Sequence, residues 1–179
     1  MNNPNSGHIK KNLVCLGVDP GMGRMGWGVV ERSGMNLYPR SFGCIETPSS
    51  EEIPKRLEMI YTHLGEQISL CSPDLICVEK LFFGRNRTTA EMVWQARGVV
   101  LLLGAQRGLQ VIEPMPSQVK MAVCGNGKAD KTQVQKMVQR FLSLEKLPKP
   151  DDAADALAIA IAGISIYNAQ LRTKRQTVH

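Results

Sequence analysis

The sequence predicts an α/β fold built on a mixed five-stranded sheet. Three observations predict it. Three apolar runs come first, separated by short turns rich in Gly and Arg. From Ile53 onward the apolar residues switch to helical spacing. Two further short apolar runs, 75–78 and 109–113, then alternate with helical segments. Short turns make the first three strands antiparallel, and helical crossovers make the later ones parallel.

Each element has its own signal. Strands are expected at 13–18, 26–31 and 35–46, with Asp19 ending the first and Arg32-Ser33-Gly34 turning the chain between the second and third. Ile53, Leu57, Ile60, Tyr61, Leu64 and Ile68 mark a helix that Pro73-Asp74 ends. LICV at 75–78 reads as a buried strand stopping at Glu79. Thr88-Thr89-Ala90-Glu91 has capping-box form and opens a long helix closing near Gly108. Its interior Gly98 and Gly104 cost helix propensity, which points to close packing there and makes this helix the candidate dimer contact. After the strand at 109–113, Ser117 is expected to cap a short helix to Cys124. Val134, Met137, Val138, Phe141 and Leu142 mark the next helix, and DDAADALAIAIAGISIY forms a half-buried last one. The domain is read as 13–168, with 1–12 a disordered extension and 169–179 a basic flexible tail. Met25, in the first turn, has no role that the sequence supplies.

Composition narrows the class. With 43% apolar and 21% charged residues, 179 residues suit one globular domain. The apolar stretches at 99–103 and 156–166 read as too short or too interrupted for a bilayer, and the N-terminus lacks an apolar signal core. Five cysteines without CxxC pairing and only three histidines speak against zinc and for reduced thiols in a cytoplasm. The net charge of +6 is concentrated. Residues 80–107 carry five Lys/Arg (Lys80, Arg85, Arg87, Arg97, Arg107) against Glu91, a net of +4, and residues 120–149 carry seven against two acids, a net of +5. Two basic blocks suit a polyanion binder.

The acids carry the chemistry. Asp19 and Glu79 both end strands, where functional residues gather in parallel sheets. In the last helix, Asp152 and Asp155 are three apart, and Asp151 and Asp155 four apart, so either pair shares one face of the first turn. A capping role accounts for Asp151 or Asp152 but not for Asp155, which lies among Ala153, Ala154, Ala156 and Leu157. Turn initiation is the plain alternative for Asp19, and pairing with Lys80 for Glu79. Burying several carboxylates together is costly, and a hard divalent cation such as Mg²⁺ relieves it. Two such ions about 4 Å apart suit water activation and leaving-group stabilisation at a phosphodiester. An actin-like ATPase also places an Asp after such a strand, but it expects a second phosphate loop and a second domain, for which there is no room.

LGVDPGMGRMGWGVV, ICVEKLFFGRN, QARGVV, PSQVKMAVCGNGKADKTQVQ and DDAADALAIAI, in that order, resemble the RuvC family of Holliday-junction resolvases over about residues 13–168. The opening LGVDPG is shared with other folds, whereas the spaced set is specific. The resemblance implies a ribonuclease-H-like fold and a homodimer that makes paired nicks in a four-way DNA junction with two Mg²⁺ per subunit, Mn²⁺ substituting. It also implies a branch-migration helicase partner. It maps the metal-binding acids onto Asp19, Glu79, Asp152 and Asp155, selecting Asp152 over Asp151. It places Lys120 and Lys131 at the scissile strand, Phe82 as the base-stacking aromatic, and Lys128 and Arg85 on phosphates. A junction-binding protein that has lost catalysis is the alternative.

Overall fold

The computed structural model describes residues 12–80 and 87–176. One sheet is flanked by helices on both faces. The strands are β1 (Asn12–Asp19), β2 (Arg24–Ser33), β3 (Asn36–Glu46), β4 (Leu75–Val78) and β5 (Gln110–Ile112). They lie in the order β3-β2-β1-β4-β5. β1, β2 and β3 pair antiparallel, while β4 pairs parallel with β1 and with β5. The mixed sheet read from the loop lengths is therefore the observed one.

Side-chain alternation sends successive strand residues to opposite faces. Val14, Leu16, Val18, Ile76 and Val78 pack with α1 (Ile53–Cys71) and α2 (Arg87–Gln106). Leu13, Cys15, Leu75 and Cys77 pack with α3 (Pro116–Cys124), α4 (Lys131–Phe141) and α5 (Asp151–Gln176). Met25 is fully buried in the first of these clusters, which gives it a core role.

The central packing event is α5 lying on β1 and β2. A methyl group on Gly17 would meet the Ala156 carbonyl oxygen at 2.1 Å, and one on Gly26 would meet that of Asp152 at 2.0 Å. Only glycine lets the backbones approach so closely. Ala153, Ala156 and Ala160 share one face of α5 and keep the helix side of the contact thin, and all three are buried.

Several boundaries differ from the sequence expectation. α5 continues to Gln176 instead of giving way to a flexible tail at 169, because residues 168–176 contain good helix formers and neither Gly nor Pro. Asp151–Lys174 has the length and apolarity of a membrane span, contrary to the reading of its sequence, yet 56% of its most apolar 18-residue window is buried inside the fold, as befits a core helix. α3 starts at Pro116, with Met115 rather than Ser117 at the cap position. Proline suits the first helical position because it has no N–H to satisfy, and the Gln118 side chain accepts from the Met115 N–H at 2.8 Å. α2 starts at Arg87, so Thr88 lies within the helix instead of capping it. Gly104 packs within its own chain, where an added methyl group would meet Val111 at 2.7 Å, whereas Gly98 faces open space.

Candidate active site

Strand parity builds the site. Asp19 follows Cys15 and Gly17 on the α5 face of β1, and Glu79 follows Leu75 and Cys77 on the same face of β4. Val18 pairs with Val78, so the two acids leave adjacent strand ends together. The glycine contacts described above bring the first turn of α5 beside them, and with it Asp152 and Asp155. Asp19, Glu79, Asp155, Lys120 and Lys131 line one cavity of about 300 Å³, closed by Pro116, Val119 and Val134.

Each contributor is held locally. Asp130 caps α4: its side chain accepts from the Gln133 N–H at 2.8 Å, and the Gln133 side chain accepts from the Asp130 N–H at 3.0 Å. That fixes Lys131 in the first turn, where its Nζ lies 3.1 Å from Asp155 and 3.4 Å from Asp151. Arg97, buried on α2, donates to the Glu79 carbonyl at 3.4 Å, forms an ion pair with Glu113 and stacks 5.4 Å from the centre of the Trp94 ring. The Lys80 N–H donates to the Pro114 carbonyl at 2.8 Å, tying the end of β4 to the chain beyond β5. On the other face, the Arg56 guanidinium donates to the Thr47 hydroxyl at 2.9 Å, and Thr47 in turn bonds the Met22 carbonyl, so α1 steadies the turn after Asp19.

The electrostatics are those of crowded acids. Burial first, then Asp155, Glu79 and Asp152, push Asp19 up from 3.8 to about 7, with Lys131 opposing. Glu79 is raised by burial and by Asp155, against Lys120. Asp155 is raised by burial, which outweighs its bond to Lys131. Burial would lower Lys131, but its bonds to Asp155 and Asp151 prevail and hold it above its ordinary value.

Of the residues singled out from the sequence, five meet in the cavity. Asp152 does not line it: its Oδ2 is 2.6 Å from the Arg24 guanidinium. Lys128 is exposed on the loop before α4, its N–H bonded to the Asn126 side chain at 3.0 Å. Phe82 and Arg85 lie outside the described residues. Arg24 and Arg97 were missed as site neighbours. QARG was visible as a motif, but nothing in the spacing of Arg24 points to Asp152. Asp74, just beyond the end of α1, ties β1 to the start of β4, its carboxylate accepting from the Val14 N–H at 2.9 Å.

The donor set consists only of hard carboxylate oxygens whose mutual repulsion already disfavours ionisation, which fits a divalent cation in chemistry. Among the described residues, no three acidic, histidine or cysteine side chains stand close enough together to hold one, with Lys131 on Asp155 and Arg24 on Asp152.

Residues 15–163 match the family described as crossover junction endodeoxyribonuclease RuvC. The chain belongs to the RuvC family. It is 52% identical over 149 residues to the RuvC of Desulfitobacterium hafniense, covering 83% of this chain and 90% of that protein. It is 53% identical over 149 residues to that of Chloroflexus aggregans, covering 83% and 91%. Among solved structures it is similar to a RuvC of T. thermophilus in complex with Holliday junction substrate, with 34% identity, TM-score 0.80, and coverage of 84% of this chain and 92% of that one. The RuvC fold is ribonuclease-H-like, as the resemblance implied.

Proposed function

We propose that this RuvC-family chain is a crossover junction endodeoxyribonuclease of DNA recombination and repair, cutting four-way junctions by paired nicks in opposed strands. The observation that carries the reading is the cavity at the ends of β1 and β4, where three acids and two lysines from separate elements converge. Family membership and the likeness to a RuvC solved with its junction substrate support the substrate.

Asp19, Glu79 and Asp155 would hold Mg²⁺, or Mn²⁺ in its place, with Asp152 as a fourth ligand. Held by these carboxylates, two such ions would supply an activated water and stabilisation of the departing 3′ oxygen. Lys120 and Lys131 stand at the same cavity, where a cation stabilises charge that grows on the phosphate. Lys128 and Arg85 contact backbone phosphates, which gives salt-dependent affinity without sequence selection. Phe82 stacks on a base at the crossover. A homodimer formed through α2 presents two such sites to two equivalent strands. The protein works in the cytoplasm, in keeping with its five free cysteines, and with a branch-migration helicase complex.

The decisive experiment is cleavage of an end-labelled four-way junction in Mg²⁺, beside linear duplex and the Asp155→Asn variant. Paired nicks confined to the junction and absent from the variant are the expected result. Tight binding without nicks in both Mg²⁺ and Mn²⁺ would instead leave a junction-binding protein.

A further inference from the structure

Asp152 is already engaged. Arg24 and Gly26 are two apart on β2 and so share a face. Gly26 admits the backbone of α5, and Arg24 meets the side chain that this backbone delivers. The juxtaposition is fixed by packing: the Asp152 carbonyl lies where a methyl group on Gly26 would be, and the two side chains close to 2.6 Å. Arg24 also lies 3.9 Å from Glu46 and beside the Cys44 thiol. Its side chain is half-exposed, while that of Asp152 is 28% exposed.

The two basic residues on α5 acids therefore differ in place. Lys131 lines the cavity with Asp19, Glu79 and Asp155, whereas Arg24 stands outside that lining and draws Asp152 with it. A guanidinium is a strong competitor for a carboxylate, being planar, two-pronged and always charged. Arg24 on Oδ2 therefore competes with a divalent cation for Asp152, and the competition eases when Arg24 moves to another anion. On a nuclease face that anion is a backbone phosphate, which arginine binds with the same fork.

We propose that Arg24 is a positioning residue that holds Asp152 away from the cation site until a DNA phosphate draws it off, so that DNA and divalent cation bind cooperatively. The inference rests on the cation-site reading given above. It makes the fourth ligand conditional on substrate.

Calorimetric titration of the full chain with Ca²⁺, with and without four-way junction DNA, tests it. Ca²⁺ serves as a hard, oxygen-seeking probe. In wild type the junction should tighten cation binding. Arg24→Gln should bind Ca²⁺ about tenfold more tightly than wild type without DNA, and gain little more from the junction. Arg24→Lys should restore much of the wild-type behaviour. Adding Asp152→Asn to Arg24→Gln should remove the gain, since Arg24 acts only through that carboxylate. Cation uptake that Asp19→Asn abolishes but Arg24→Gln leaves unchanged or weakens would overturn this inference alone. A wild-type chain that takes up no cation with or without junction would overturn the cation-site reading as well.

Discussion

Asp19 sits where its charge is least welcome, and stability should report it. Its carboxyl is held at about 7 in the fold against 3.8 for the free group, through burial and three neighbouring acids. Between those values the folded state keeps a proton that the unfolded chain has lost. The associated stability is fully present below about pH 4 and is lost as pH rises through 7. The shift corresponds to on the order of 4 kcal/mol. Glu79 and Asp155, also raised, add with the same sign. In chelator, the melting temperature of wild type should therefore fall from pH 5 to pH 7.5. Asp19→Asn should flatten that fall, melt higher at pH 7.5 and cut no junction. Equal melting of wild type at both pH values would remove the crowded-acid account. Arg56 offers a second residue-scale test, since its buried guanidinium donates to the Thr47 hydroxyl. Thr47→Val keeps the shape and deletes the acceptor, so thermal unfolding should show a loss of about 1–3 kcal/mol.

At the scale of elements, the site exists because α5 can lie flat on β1 and β2. Gly17→Ala would drive a methyl group into the Ala156 carbonyl, whose oxygen stands 2.1 Å from the place it would occupy. The helix must lift, at a cost of on the order of 3 kcal/mol. Because Asp155 and Asp152 ride on that helix, cleavage under conditions where the variant is still folded should drop at least about tenfold. Retained activity in a folded Gly17→Ala chain would mean that the acids reach their places without the close approach. This contact also marks what the sequence disclosed. Periodicity located every strand, and every helix apart from the far end of α5, to within a few residues, and LICV to the residue, because burial on one face or two leaves a local pattern. The strand-end acids were legible for the same reason: alternation and register bring Asp19 and Glu79 together. The direction taken by Asp152 was not legible. It depends on Arg24, a residue distant in the chain that the packing of α5 on Gly26 brings near, and no local spacing encodes that approach. The cap that aims Lys131 was in plain view as Asp130 followed three residues later by Gln133, a pattern the apolar periodicity overshadowed.

At the scale of the whole molecule, α2 presents a surface left uncovered among the described residues. Glu91, Gln95, Gly98, Leu102 and Ala105 recur at intervals of four and three, so they form one stripe. Leu102 is 51% exposed, and a methyl group on Gly98 would meet nothing within 4 Å. An exposed leucine one turn from a bare glycine suits a second copy of the same helix across a twofold axis, which can approach closely at the glycine and cover the leucine. Gly104 is not part of that surface: its absent side chain makes room for Val111 and serves the fold alone. The two roles can thus be separated by substitution. Leu102→Glu places a charge where the single chain has solvent, so its melting temperature at low concentration should stay within about 0.5 kcal/mol of wild type in equivalent stability. Sedimentation should shift from dimer to monomer, since a glutamate against its own image repels and desolvates. On a four-way junction the variant should leave single nicks in place of simultaneous pairs, because on the proposed homodimer a product pair takes two sites related by one twofold axis. A Leu102→Glu chain that sediments as a dimer and still nicks in pairs would take α2 out of the interface and return the stripe to plain solvent exposure.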